Sequence, residues 1–327
     1  MKKFFKVLGI IVGVLAVVII AFLFYFNASF PKAEPVPNIK VEITPARIAR
    51  GEYLANNVAG CMDCHSQRDY TKYAGPIIPF TRGQGGERYD GPMAGVPGVI
   101  YAYNITPAGI GNWSDGELIR AITTGVTKDG KALFPLMPYI NFNHLSQEDL
   151  YSIVAYIRSL KPVENKIPER KLDFPMNLIV KTIPLSSYTP ASAPGMSDTL
   201  AYGKYLVTIA NCGDCHTPMD KGQPIKSLIF AGGMEFHMPW GTIRTANITP
   251  DNETGIGKWT KEQFINRFKS LASDSAQNIP VKPHEFNTIM PWTYYAGMKD
   301  EDLGAIYTYL RTVKPVHHEV IKYTVAQ

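Results

Sequence analysis

The first polarity pattern in the chain is an absence of charge. Lys2, Lys3 and Lys6 are followed by Val7 to Phe26 with no charged residue. At about 1.5 Å per residue, a helix of that length matches the roughly 30 Å hydrocarbon core of a bilayer. Further on, Leu150, Ile153, Val154, Ile157 and Leu160 recur at helical spacing, and so do Leu303, Ile306, Tyr307 and Leu310. Each set predicts a helix with one apolar face. Thr44-Pro45 predicts a helix start running through Tyr53, with proline in the first turn. Ser114-Asp115-Gly116-Glu117 and Thr260-Lys261-Glu262-Gln263 read as capping boxes that open two further helices. No segment alternates cleanly enough to predict a large sheet, so the expected fold is all-α.

The uncharged run is longer than the core of a cleaved signal peptide, and Phe26-Asn27-Ala28-Ser29-Phe30-Pro31 is a poor cleavage site. It is read as an uncleaved transmembrane anchor over residues 1–30. The lysines before it predict that everything after it lies outside the cytoplasm. Residues 31–43 contain Pro31, Pro35 and Pro37 and read as an extended spacer.

Beyond the spacer the pattern repeats. Gly51-Glu52-Tyr53-Leu54 returns as Gly203-Lys204-Tyr205-Leu206, and Asn104-Ile105-Thr106-Pro107 as Asn247-Ile248-Thr249-Pro250. Gly109-Ile110-Gly111-Asn112-Trp113 returns as Gly255-Ile256-Gly257-Lys258-Trp259. Met137-Pro138-Tyr139 returns as Met290-Pro291-Trp292, and Lys161-Pro162-Val163 as Lys314-Pro315-Val316. The repeat predicts two modules of ordinary domain size, residues 44–163 and 197–318. Residues 164–196 form a proline-rich linker with a short helix expected around Asn177–Lys181, and 319–327 form a tail.

Composition adds bounds. A length of 327 residues suits about two domains. With 45% hydrophobic and 19% charged residues the chain can bury a core. The net charge of +5 is too small to point to nucleic acid, and three of those charges are the lysines before the anchor.

Cysteine usage changes the picture most. All four cysteines fall in Cys61-Met62-Asp63-Cys64-His65 and Cys212-Gly213-Asp214-Cys215-His216. C-x-x-C-H is the attachment motif of c-type haem: two thiols on one helical turn form thioethers, and the following histidine reaches the iron. A zinc site would need the two pairs to converge, and a redox dithiol needs no histidine after it. The reading is two covalently bound c-type haems, on Cys61 and Cys64 and on Cys212 and Cys215, with His65 and His216 as axial ligands.

A sixth ligand must come from elsewhere in each module. Met137 follows Cys61 by 76 residues and Met290 follows Cys212 by 78, and both precede proline and an aromatic residue. That repetition selects them as the second axial ligands. Met93 and Met234 also repeat, but in glycine-rich loops, and Met298 aligns with Leu145 as an apolar residue before a helix cap. Met238, His237 and His284 occur in the second module alone, and His144, His317 and His318 read as surface or core residues. Gly83-Gln84-Gly85-Gly86 lacks the strand and helix of a phosphate loop.

On these motifs the modules resemble the cytochrome c domains found in cytochrome subunits of bacterial membrane-bound alcohol and gluconate dehydrogenases. The resemblance covers residues 45–163 and 197–316. Those subunits typically carry three haems, whereas two motifs and an N-terminal anchor stand here, so the resemblance does not carry over the electron donor. It implies that the helix bearing Gly51 and Tyr53 crosses the closing helix, with Gly203 and Tyr205 matching. It implies that Pro76 and Pro224 offer their carbonyls to the histidines, and that Trp113 and Trp259 pack on haem or in the core.

Two six-coordinate irons leave no site for substrate. The expected function is electron relay, with no catalytic residues, between a periplasmic dehydrogenase or quinol-oxidising complex and a terminal oxidase or other acceptor. The expected location is the bacterial inner membrane, with the haem modules in the periplasm. The alternative is a dihaem enzyme such as a cytochrome c peroxidase or thiosulfate dehydrogenase, which would leave one iron open.

Overall fold

The structure is a computed structural model that describes residues 1–326. Helix α1 spans Lys2–Ser29 and buries none of its side chains in the rest of the chain. It is long and apolar enough to cross a membrane.

Helix α2 (Pro45–Tyr53) starts where Thr44 Oγ1 accepts the Arg47 N–H at 3.2 Å. It runs into a π-turn over Leu54–Val58, and Gly60 then takes a left-handed φ of 71°. That reversal lets the chain begin the short helix α3, Cys61–Cys64. Helix α4 (Asp115–Thr124) has the expected capping box on Ser114 and Glu117. Helix α5 (Gln147–Ser159) is capped by Ser146. After helix α6 (Met176–Ile179), the second half repeats the order with α7 (Thr199–Ile209), α8 (Cys212–His216), α9 (Lys261–Lys269) and α10 (Asp300–Leu310). Asn211 stands in the place of Gly60 and is also left-handed, at φ 57°. Asparagine is one of the few residues that tolerate this conformation.

In each half the first helix crosses the closing helix, α2 on α5 and α7 on α10. Glycine makes the crossing possible. A Cβ on Gly51 would lie 1.8 Å from the Ser152 carbonyl oxygen, and one on Gly203 would lie 2.0 Å from that of Ala305. Leu54, Leu150 and Val154 close the first contact, and Leu206, Leu303 and Leu310 the second; all belong to one continuous core cluster. Leu145 and Met298 are both buried just before their helix caps.

The fold is not purely helical, which corrects the all-α expectation. Strands β1 (Arg88–Asp90), β2 (Gly98–Tyr101) and β3 (Lys171–Leu172) form one antiparallel sheet. Strands β4 (Met219–Asp220) and β5 (Gln223–Pro224) form a hairpin. Strands β6 (Glu235–Met238), β7 (Gly241–Arg244) and β8 (Tyr323–Val325) form a third sheet. Strands of two to four residues are too short to show an alternating pattern, and β3 and β8 pair with strands far away in sequence. Residues 164–196, read as a linker, thus supply β3 and α6, and residues 319–327, read as a tail, supply β8. The spacer is also held: Val41 N–H donates to Asp115 Oδ2 at 2.9 Å, and Gly116 leaves room for the Pro37 carbonyl.

The two halves meet through reciprocal bonds. Tyr53 Oη donates to Asp302 Oδ2 at 2.5 Å and accepts the Lys299 N–H at 3.1 Å. The repeat partner Tyr205 donates to Asp149 Oδ2 at 2.6 Å and accepts the Ser146 N–H at 3.2 Å. Each tyrosine therefore ties the first helix of its own half to the start of the other half's closing helix. Tyr205→Phe should remove two hydrogen bonds and strand the buried Ser146 N–H, lowering stability by about 1–3 kcal/mol in urea unfolding followed by far-UV circular dichroism. Tyr53→Phe should cost less, because the Lys299 N–H it frees is exposed and can bond to water.

Candidate haem-attachment sites

Both C-x-x-C-H segments form helical turns, as their spacing predicts. The four cysteines are free of disulfides. Burial pushes the Cys61, Cys64 and Cys212 thiols up to about 12. A dithiol redox centre instead relies on a lowered thiol pKa. Among the described residues no three His, Cys, Asp or Glu side chains converge as a metal cage.

His65 Nδ1 lies 2.7 Å from the Tyr103 carbonyl oxygen, and His216 Nδ1 lies 2.7 Å from that of Ala246. A carbonyl accepts and cannot donate, so Nδ1 carries the proton in both rings. Burial lowers the pKa of both histidines and favours the neutral ring, and the carbonyl, which raises it, only partly offsets this. Nε2 then keeps its lone pair for a metal, oriented by the bond on the far side of the ring. Two thiols on one turn followed by an imidazole with Nδ1 fixed and Nε2 open is a donor set that fits c-type haem, and it occurs twice.

The carbonyls differ from those expected. The Pro76 oxygen accepts the Asp69 N–H at 2.9 Å, and Pro224 lies in the β4–β5 hairpin. The accepting carbonyls belong to the residues just before the repeated Asn-Ile-Thr-Pro. Asn104 Oδ1 accepts from Thr106 N at 2.9 Å and from Thr106 Oγ1 at 2.7 Å, while its Nδ2 donates to the Val163 carbonyl at 2.8 Å. Asn247 makes the same bonds to Thr249, at 2.9 and 2.8 Å, and to Val316, at 2.8 Å. This links the distant Lys-Pro-Val to Asn-Ile-Thr-Pro and sets the carbonyl over each histidine. Asn104→Ala should cost about 2–3 kcal/mol through the loss of its three hydrogen bonds, to Thr106 N–H, Thr106 Oγ1 and the Val163 carbonyl. It should also shift the spectrum attributable to the first motif, because the Tyr103 carbonyl is no longer fixed; a visible and near-infrared scan reads this.

Met137 and Met290 occupy matching positions. Both are half-buried, and each main-chain oxygen accepts the N–H two residues on, from Tyr139 at 2.8 Å and Trp292 at 2.7 Å. Each stands before a short helical turn, Tyr139–Phe142 or Trp292–Tyr295. Met93 sits in a helical turn and Met238 in β6. His144, His237, His284 and His317 are exposed, and His318 Nδ1 lies 3.0 Å from the Ala231 carbonyl oxygen. Trp113 packs against the core cluster, whereas Trp259 is exposed.

Several residues around the motifs are visible in the fold alone. Tyr294 and Tyr295 pack edge to face at 5.0 Å between ring centres. Tyr294 Oη accepts the N–H of Gly60, next to Cys61, and Tyr295 Oη donates to the Ala210 carbonyl at 2.7 Å, two residues before Cys212. Asn141, the counterpart of Tyr294, bonds Asn211 Oδ1 at 3.0 Å and Asp214 Oδ2 at 2.9 Å. Each half thus reaches the other half's motif from the turn after its repeated methionine. Arg68 is buried against Asp63 at 3.2 Å, where burial raises the carboxyl and the guanidinium opposes it. A repeat comparison could have flagged Asn141 and Tyr294 by position, but their differing identities conceal the shared role.

Comparison with known proteins agrees with this chemistry. The family model for cytochrome c matches residues 200–314. The chain is 29% identical over 296 residues to the cytochrome c subunit of a quinone alcohol dehydrogenase from Gluconacetobacter polyoxogenes, covering 85% of this chain and 58% of that protein. It is 30% identical over 296 residues to the cytochrome subunit of fructose dehydrogenase from Gluconobacter japonicus, covering 86% of this chain and 56% of that protein. It is 27% identical over 270 residues to a dihaem c-type cytochrome from Cereibacter sphaeroides, covering 79% and 83%. The chain therefore spans little more than half the length of the two dehydrogenase subunits. Residues 200–314 are a cytochrome c domain, a haem-binding electron-transfer fold, within a chain similar over most of its length to dehydrogenase cytochrome subunits.

Proposed function

We propose that the chain is a membrane-anchored dihaem c-type cytochrome relaying electrons in a periplasmic respiratory chain. It consists of an anchor, α1, and two cytochrome c domains over residues 44–163 and 197–318. Cys61 and Cys64 hold one haem and Cys212 and Cys215 the other, through thioethers. His65 with Met137, and His216 with Met290, complete the two iron coordination spheres. The observation that carries this reading is the identical placement of the two histidines, each with Nδ1 on a backbone carbonyl that a buried asparagine holds in place. Bound haem supplies a one-electron ferric/ferrous couple. The chain fixes the imidazoles in one tautomer and holds them half-buried.

The relatives named as dehydrogenase cytochrome subunits support a donor that is a dehydrogenase in the same membrane, with a terminal oxidase or other carrier as acceptor. The tether would then raise the concentration of the cytochrome near both partners. Pyridine haemochrome analysis of the purified full chain should give two c-type haems per polypeptide. Ferric protein should show the near-infrared methionine–iron band and no high-spin haem. One haem per chain, or a high-spin iron that consumes peroxide, would overturn the relay reading.

A further inference from the structure

The segment between the halves carries an apolar surface that the proposed relay does not use. It is docked firmly at both ends. Strand β3 pairs with β2, Asp173 N–H donates to the Pro97 carbonyl at 3.0 Å, Val180 is buried, and Leu185 N–H donates to the Thr124 carbonyl at 3.0 Å. Between these fixed points Phe174 is 79% exposed and Ile179 is 45% exposed. Single exposed apolar side chains are ordinary on a protein surface. These two are set apart by where the segment lies.

Lys181 Nζ donates to Asn27 Oδ1 in the last turn of α1, and Glu34 N–H donates to the Ser186 carbonyl at 2.9 Å. The end of the apolar helix and the spacer just after it are therefore both fastened to this segment. The uncharged run stops at Phe26, so a spanning α1 places Asn27 where hydrocarbon gives way to headgroups. From Lys181 back to Phe174 is seven residues of mostly helical chain, roughly 10–14 Å at about 1.5–2 Å per residue. The end of α1 has the side chains of a membrane boundary: Phe26 and Phe30 pack at 5.0 Å between ring centres, and Lys32 Nζ sits 5.5 Å from the Phe30 ring centre. Charge agrees with a lipid partner, since residues 170–182 hold Arg170, Lys171 and Lys181 against Asp173 as the one acid.

We propose that Phe174 and Ile179 insert into the interfacial layer of the same bilayer that α1 spans, on its periplasmic side. This rests on the anchor reading and extends it. The body of the protein is then held by two contacts instead of one, so the haem domains present a fixed face to the membrane rather than swinging on a tether. Aromatic and aliphatic side chains are favoured in that layer, and adjacent lysines reach headgroup phosphates.

The test uses the full holo-chain in vesicles of phosphatidylethanolamine and phosphatidylglycerol. Single nitroxide labels are placed through Phe174→Cys, Val14→Cys and Ile321→Cys, the last at an exposed position of the second half. The unchanged haem spectrum verifies that each variant is folded. Collision with oxygen relative to a water-soluble nickel chelate should rise several-fold at 174 over 321, with 14 higher still. If 174 matches 321 while 14 lies in hydrocarbon, α1 spans but the second contact is absent and the proposal fails. If 14 is also open to the nickel chelate, the anchor reading falls and takes the proposal with it.

Discussion

Met137→Ala is expected to remove about half of the near-infrared methionine–iron absorption of the ferric chain, and Met290→Ala the other half. The arithmetic follows from the proposed pair of haems, one methionine-ligated in each half. Each methionine lies in the same local frame, just before a short helical turn, and Phe142 and Tyr295 of those turns pack in or against the core cluster. Loss of the thioether should also lower the reduction potential of that iron, because methionine ligation favours the ferrous state. The remaining site should keep its own potential and spectrum. Potentiometric titration at a visible band and a near-infrared scan check both statements. A variant with an unchanged near-infrared band would remove that methionine from the coordination sphere. Met93→Ala and Met234→Ala serve as controls and should leave the band in place.

The second large effect is steric. Gly51→Ala should destabilise the chain by about 3 kcal/mol or more, and Gly203→Ala by a similar amount. A new methyl group at either position meets a main-chain carbonyl, at 1.8 Å from Ser152 O or 2.0 Å from Ala305 O, with Tyr156 Cβ and Tyr309 Cβ close behind. A flexible side chain could turn away, whereas a helix backbone cannot, so relief requires the two helices to separate. That separation opens the contact that positions each attachment motif, since α2 leads into α3 and α7 into α8. Against a typical total stability of about 5–15 kcal/mol, the loss should appear as a large fall in the urea midpoint and as reduced haem incorporation. Gly195→Ala is the matched control: its nearest neighbour is Ser197 Oγ at 3.4 Å, and its effect should stay within about 0.5 kcal/mol.

The reciprocal tyrosine–aspartate bonds give the two halves a common fate. Tyr53 and Tyr205 each belong to one half and bond the other, so loosening either helix pair reaches the opposite motif through a buried bond. The core cluster runs through both halves without interruption, which points the same way. A single cooperative unfolding transition is the physical expectation for such an arrangement.

Some of this was written locally. The capping boxes on Ser114 and Thr260 formed as expected, because a cap needs partners only three residues apart. The closing helices, Gln147–Ser159 and Asp300–Leu310, formed where their apolar faces recur at the period of the helix itself. The repeat marked Asn104 and Asn247 as important but gave no reason for it. The reason lies in Val163 and Val316, 59 and 69 residues away.

The carbonyl over each histidine shows the limit best. A search close to the motif in sequence led to Pro76 and Pro224, while the chain supplies Tyr103 and Ala246 from much further along. The small sheets were invisible for a related reason: β3 and β8 exist because a neighbouring strand offers unpaired main-chain groups, and their own residues show no alternation. The sequence by itself determined the two C-x-x-C-H segments, the repeated motifs around them, the apolar first helix and the helices whose signals lie within a few residues. Tertiary structure alone decided which carbonyl orients each histidine, how each half grips the other, and that Phe174 lies exposed beside the segment that receives the end of α1. Those outcomes depend on main-chain groups and on pairs brought together across tens to hundreds of residues, and neither leaves a mark in the identity or spacing of neighbours.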